Sequence, residues 1–293
     1  MPMVGIGTWL YNDTIAEEAV ASALEVGYTH IDTAYDYGNA LGVGRAIVNS
    51  KLKRDEFFVT TKVEGGLNAT RTKEEHMDNL KKLGLNYVDL LLIHFPCHIS
   101  AQGDLSGSRA MRQIQWKAME ELVREGLTRA IGISHYCKRH LDDILDIATI
   151  KPAINQVEFH IGMGRAGVNA TDDREYLESK GITFQSFSPL CGPCCMGDTT
   201  GTCTYNKELI TGELVTDIGK KYNKTGAQVS LKWQVQQGIP VIPKTANKQH
   251  LQENIDLFGW ELSKEDMDTL TNSPTPPVSG GGDGLTSGDC SMP

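Results

Sequence analysis

Short apolar runs alternate with amphipathic stretches along almost the whole chain. Runs at 4–9, 29–31, 57–61, 88–93, 129–134, 153–157, 182–187 and 239–243 read as buried strands. Between them, apolar residues recur at helical spacing over 16–26, 41–52, 72–83, 113–124, 138–148, 172–179, 209–222, 228–236 and 249–258. In the first helix Ala19, Val20, Ala23 and Leu24 share a face, and Gly27 stops it. Strand–helix alternation predicts a parallel sheet with right-handed crossovers. Eight such units in 293 residues predict an α/β protein, a parallel eight-stranded (β/α)8 TIM barrel over residues 1–272. In that architecture the active site lies at the C-terminal ends of the strands. Residues 273–293, rich in Gly, Pro and Ser, read as a flexible tail.

Four polar residues fall where these runs should give way to loops. They are Asp32 after 29–31, Tyr37 shortly beyond it, Lys62 after 57–61 and His94 after 88–93. Buried ionisable groups are costly unless they pair. The barrel brings the ends of the second, third and fourth strands together, so these residues can pair and tune one another. A free tyrosine hydroxyl, with a pKa of about 10, is a poor proton donor at neutral pH. An ammonium from Lys62 is expected to lower that value, with Asp32 holding Lys62 in place. His94 can donate to a carbonyl oxygen and orient it. A tyrosine tuned in this way can protonate that oxygen as hydride reaches the carbon. The hydride must come from a cofactor, because side chains do not supply one.

Composition narrows the partners. A net charge of −9 argues against non-specific nucleic-acid binding. No apolar run approaches the ~20 residues that span a bilayer, and the opening residues lack a signal peptide's basic and apolar regions. The expected location is cytoplasmic, where the seven cysteines are expected as reduced thiols. The sequons at Asn12, Asn68, Asn169 and Asn223 matter only in a secretory compartment and are read as coincidental. His30, His76, His98, His140 and His160 are read as structural.

The segments 27–34 (GYTHIDTA) with Tyr37, 92–96 (LIHFP), 132–134 (GIS), 155–158 (NQVE), 186–190 (SFSPL), 242–244 (IPK) and 253–254 (EN) follow in order along the chain. Together they resemble the aldo-keto reductases, from about residue 4 to about residue 270. The resemblance implies NADPH-dependent reduction of an aldehyde or ketone to an alcohol by a monomer. It implies Tyr37 as general acid, Asp32 and Lys62 as its tuners and His94 as the carbonyl orienter. It further places Ser134 and Gln156 at the nicotinamide carboxamide, His135 beside them in the cofactor site, and Phe187 on the nicotinamide face. Thr8 and Trp9 fall beside the ring, and Ser188 and Leu190 in the cofactor loop. Lys244, Thr245 and His250 fall toward the 2′-phosphate and pyrophosphate, with Glu253 and Asn254 at the adenine. Trp9, Asp36 and Phe95 are implied to line the carbonyl substrate.

Several residues depart from the family pattern. His135 stands in place of asparagine, Phe187 in place of tyrosine, and His250 in place of an arginine on the 2′-phosphate. Histidine is a weaker, pH-dependent phosphate ligand, which leaves NADH as an alternative unless Lys248 compensates. Asp36 is expected to disfavour anionic substrates. The loop after His94 reads as short. A second reading is an NADP(H)-binding sensor or regulatory barrel with little turnover. A third is thiol–disulfide chemistry at Cys191 and Cys194, a C-x-x-C pair in the wrong setting for a thioredoxin-like fold. No metal site is expected, since the clustered cysteines lack a paired zinc-ligand spacing.

Overall fold

The computed structural model describes residues 1–100, 103–163, 173–191, 205–274 and 293. Seven parallel strands form one sheet in sequence order: β1 (Ile6–Gly7), β2 (His30–Asp32), β3 (Phe58–Val63), β4 (Val88–Ile93), β7 (Thr128–Ser134), β8 (Ile154–Glu158) and β9 (Thr183–Phe187). A two-stranded hairpin, β5 (His98–Ile99) and β6 (Leu105–Ser106), stands in the connection after β4, which is therefore longer and more structured than its sequence implied. The eighth position is filled by 239–243 without a regular ladder. Val241 bridges Val4 on one side and Ser186 on the other, both parallel, and closes the barrel. The reason is local: Pro240 and Pro243 have no N–H to donate, and their carbonyls accept instead from Ser186 N (2.8 Å) and Gly7 N (3.1 Å).

Helices wrap the outside: α1 (Asp13–Val26), α2 (Ala40–Asn49), α3 (Ala69–Leu83), α4 (Arg109–Arg124), α5 (Lys138–Leu145), α6 (Asp173–Ser179), α7 (Tyr205–Ile210), α8 (Glu213–Tyr222), α9 (Gly226–Val235), α10 (Lys248–Ile255) and α11 (Lys264–Thr271). Asn12, Asn68, Ser108, Thr225, Asn247 and Ser263 cap six of them by accepting a backbone N–H, each worth about 1 kcal/mol. The single helix expected over 209–222 is two, α7 and α8. The chain turns at Thr211–Gly212, where a Cβ on Gly212 would lie 2.4 Å from the Glu208 carbonyl oxygen.

The alternation of strand side chains sorts the core into two parts. Leu90, Leu92 and Ile154 pack with Phe58 and Ala130 inside the barrel. Val59, Val63, Leu91, Ile93, Ile131 and Ile133 pack outward against the helices in the main core. Each such side chain contributes roughly 1.5–3 kcal/mol by leaving water. The period of two then fixes what lies above the inner layer: Asp32, Lys62, His94, Ser134 and Gln156 continue the inward parity at the strand ends. The register aligns Asp32 with Thr60, Lys62 with Leu92 and Ser134 with Gln156 across neighbouring strands. Gly132 has inward parity too, and a Cβ there would meet Leu92 Cδ2 and the Ile154 carbonyl at 2.8 Å. Of the expected tail, 275–292 lie outside the described residues. The Pro293 carbonyl oxygen accepts from the buried Arg112 guanidinium at 2.7 Å.

Candidate active site

The Lys62 ammonium sits at the centre of the strand ends. It donates to Asp32 Oδ1 at 2.5 Å, to the Thr33 carbonyl at 3.1 Å and to the Tyr37 hydroxyl at 3.4 Å. Asp32 Oδ2 accepts from Gln156 Nε2 at 2.7 Å, so both carboxylate oxygens are occupied. Lys62 and Asp32 are each only 1% exposed, and this mutual pairing is what makes their burial tolerable.

Tyr37 ends a 3-10 turn, Tyr35–Tyr37, that the left-handed Gly38 terminates at φ 67°. The turn is tied to the β1 loop by the buried Asn39, whose Nδ2 donates to the carbonyls of Thr8 (2.8 Å) and Tyr11 (3.0 Å). Nothing in the apolar pattern marks this tie, because Asn39 belongs to no apolar run. The phenol also departs from expectation. Desolvation in the cleft, with the carboxylates of Asp32 and Asp36, pushes the Tyr37 pKa well above its ordinary value. Lys62 does not reverse this: its shortest contact is to Asp32, and the tyrosine receives its longest. Tyr37 is thus a neutral phenol that holds its proton, with an ammonium beside the oxygen.

His94 faces Tyr37 edge to face, with ring centroids 5.6 Å apart. Its Nδ1 lies 3.0 Å from Asp36 Oδ2. Burial alone would raise the Asp36 pKa. The charge and hydrogen bond of His94, with Lys62 behind, bring it below the ordinary carboxylate value. The Asp36 carboxylate is therefore engaged with His94 where it lines the cavity.

The rings of Phe95, His135 and Phe187 form a continuous wall beside His94. The centroid of His135 lies 4.3 Å from that of Phe95 and 4.8 Å from that of Phe187. His135 adopts a left-handed backbone (φ 60°), and its buried Nδ1 has no partner. Burial, then the charges of His94 and Lys62, hold its pKa well below the ordinary value, so the imidazole is neutral.

These groups line a cavity of about 330 Å3 that also takes in Thr8, Trp9, Gln156, Ser188, Leu190 and Lys244. Ser134 and Lys62 lie behind its wall. Glu158, Leu10 and Ile210 line it and were not anticipated. Glu158 ends β8, so the strand-end rule that found Asp32, Lys62 and His94 applies to it as well.

Two sets of hydrogen-bond valences remain open, one on Gln156 in the wall and one on Ser134 behind it. Ser134 Oγ donates to the Gln156 carbonyl (2.8 Å), which leaves its lone pairs. Gln156 Nε2 spends both hydrogens on Asp32 and on Gln185 Oε1 (3.0 Å), which leaves Oε1 as an acceptor. With His135 they offer acceptors and one ring N–H to a planar carboxamide.

Thr245, His250, Glu253 and Asn254 lie outside the cavity, near and on α10. His250 is exposed, and Asn254 is buried. Lys244 is exposed at the cavity's edge with Nζ 4.9 Å from the centre of the Tyr11 ring, and desolvation lowers its pKa. Lys248, the residue expected to compensate for the missing arginine, is exposed and its ammonium pairs with Glu25 at 2.8 Å. The expectation of reduced thiols also fails at two positions. Cys137, at the start of α5, and the buried Cys191, beside Leu190, are disulfide-bonded, whereas Cys97 is free. Cys194 and the rest of the C-x-x-C segment lie outside the described residues.

The sequence profile of the Aldo/keto reductase family matches residues 3–273. The chain belongs to the aldo/keto reductase family. It is 36% identical over 274 residues to glyoxal reductase of Bacillus subtilis, covering 92% of this chain and 88% of that protein. It is 35% identical over 285 residues to aldo-keto reductase family 1 member A1 of Xenopus tropicalis, covering 92% and 84%. Among solved structures, the aldose reductase from Schistosoma japonicum superposes with a TM-score of 0.81 at 32% identity, covering 94% of this chain and 89% of that one. As an aldo/keto reductase the protein is an oxidoreductase of aldehydes or ketones, in a family that generally works with a nicotinamide cofactor. No helix among the described residues is long and apolar enough to cross a membrane.

Proposed function

We propose that this aldo/keto reductase reduces small aldehydes and ketones with NADPH, and that Tyr37 delivers the proton. The observation that carries the reading is the chain of contacts from Asp32 through Lys62 to the Tyr37 hydroxyl, at 2.5 and 3.4 Å, opening on the cavity. NADPH, when bound, supplies the hydride for the carbonyl carbon. Tyr37, kept neutral by its surroundings, gives its proton to the carbonyl oxygen. Lys62, already within hydrogen-bond distance, offsets the charge that then develops on the phenol oxygen, and Asp32 fixes Lys62 in place. His94 orients the carbonyl.

The open valences of Ser134, His135 and Gln156 suit the nicotinamide carboxamide, and Phe187 offers an aromatic face to the ring. Lys244 and Thr245 mark the phosphate side, with His250, Glu253 and Asn254 beyond it toward the adenine. Relatives named for glyoxal reduction in Bacillus subtilis and for methylglyoxal reduction in Escherichia coli make small α-oxo-aldehydes the first substrates to try. The cavity is large enough for such a molecule beside a nicotinamide.

The test is isotopic. With NADPH deuterated on the transferring face of the nicotinamide, the alcohol formed from methylglyoxal or an aromatic aldehyde should carry deuterium at the carbinol carbon. Cofactor binding without any labelled alcohol, over a broad panel of carbonyls, would sink the proposal in favour of the sensor reading.

A further inference from the structure

Asp36 directly precedes the tyrosine, yet its carboxylate turns to the histidine on the next strand but one. Both oxygens approach the same ring nitrogen: Oδ1 lies 3.1 Å and Oδ2 3.0 Å from His94 Nδ1. An ionised carboxylate only accepts hydrogen bonds, so the proton of this contact sits on Nδ1. That assignment has a consequence for the other ring nitrogen. A neutral imidazole protonated at Nδ1 has a lone pair at Nε2, and a carbonyl oxygen facing it meets repulsion. Only the doubly protonated ring carries an N–H on both nitrogens.

We infer that Asp36 is a positioning residue that holds His94 as an imidazolium through Nδ1, so that Nε2–H donates a charge-assisted hydrogen bond to the substrate carbonyl. The inference rests on the carbonyl-reductase reading above and says how its orienting residue is made a donor. A charge-assisted bond is shorter and roughly twice as strong as a neutral one. The activating proton is shared with solvent, so carbonyl recognition becomes pH-dependent.

The other charges facing His94 leave Asp36 as the decisive one. From β3 and β2 come Lys62 and Asp32, whose opposite charges are joined at 2.5 Å. From the end of β7 comes His135, its ring 6.1 Å away and neutral. Tyr37 is a neutral phenol. Phe95 packs on the ring at 4.6 Å and contributes no charge. Glu158 at the end of β8 lines the same cavity and lies 4.0 Å from His160. Lys244 stands at the far edge, over Tyr11. His94 in turn helps hold the Asp36 pKa below its ordinary value, so the carboxylate remains the acceptor of the pair.

The experiment compares the parent with Asp36→Ala and Asp36→Asn. The Asp36 side chain is one-third exposed (33%), so neither variant leaves a buried hole. Nitrogen-15 NMR of histidine-labelled, cofactor-free protein reads the ring directly, with the His94 signals assigned by their absence in His94→Asn. In the parent, Nδ1 should be protonated throughout, and Nε2 should lose its proton first as pH rises. In Asp36→Ala the midpoint of that loss should fall by roughly one pH unit or more, the usual effect of removing an adjacent opposite charge. The alkaline fall in kcat/KM for a neutral aldehyde should move by the same amount. In Asp36→Asn the amide can donate to Nδ1 and hold the neutral ring with its proton on Nε2, which should flatten the alkaline limb. An unmoved midpoint, or a parent ring protonated on Nε2 alone, would overturn the inference. If the parent forms no alcohol from any carbonyl, the function fails and takes the carbonyl half of the inference with it. The NMR result would still decide whether Asp36 protonates His94, so the two failures are distinguishable.

Discussion

Replacing Lys62 by methionine keeps the unbranched stem and removes the ammonium. Asp32, 1% exposed, then has Gln156 Nε2 at 2.7 Å as a neutral donor and no counter-charge. Removing one partner of a buried pair typically costs about 3–5 kcal/mol, because the remaining charge stays desolvated. For a chain of this size that corresponds to a Tm lower by roughly 10 °C. Asp32→Asn with Lys62→Met removes both charges and leaves an acceptor for Gln156. The double variant should therefore be more stable than Lys62→Met alone, with a coupling energy of about 2 kcal/mol or more in a double-mutant cycle. Urea unfolding of the four proteins gives the cycle. The reasoning is refuted if Lys62→Met costs less than about 1 kcal/mol, the range of an exposed pair, or if the two substitutions simply add.

Three other outcomes follow from single residues. Burial raises the carboxyl of Glu75, 2% exposed on α3, to about 7. Its folded pKa lies above its unfolded one, so the native state holds the extra proton and stability falls as pH rises from about 4.5 to about 7, by on the order of 3 kcal/mol. Glu75→Gln should flatten that part of the urea-midpoint profile; an identical profile would mean that the carboxyl ionises freely in the fold. Asn39→Ala removes the tie between the Tyr37 turn and the carbonyls of Thr8 and Tyr11, so it should cost about 2 kcal/mol and lower kcat more than it raises KM. A kcat equal to the parent's would show that the turn needs no such tie. His250→Arg should raise the preference for NADPH over NADH by about tenfold, measured as the ratio of cofactor Kd values, and an unchanged ratio would remove His250 from the phosphate site.

The sequence carried the barrel and the inward-facing members of the site for one physical reason. A polar residue at the end of an apolar run is conspicuous, and the period of two makes its direction readable, as with Asp32, Lys62 and His94. What it concealed depends on pairings between loops. Asp36 and His94 are far apart in the chain, and nothing in either segment marks the contact. Lys62 could be placed near Tyr37, but its closer approach to Asp32, and the burial that with the Asp32 and Asp36 carboxylates raises the tyrosine's pKa, appear only in the folded packing. The last strand was expected as a regular one, and Pro240 and Pro243 reduced it to bridges. Helix α11 leaves no apolar stripe in the sequence, because only Met267 and Leu270 are apolar in it, although Ser263 provides the cap.

Proton delivery by Tyr37 is the centre of the account, and single-turnover reduction of a neutral aldehyde by the NADPH-loaded Tyr37→Phe protein tests it most directly. Loss of the hydroxyl, with the ring retained, should slow the step by about 10^2- to 10^4-fold while NADPH still binds. A rate equal to the parent's would show that the proton comes from another group.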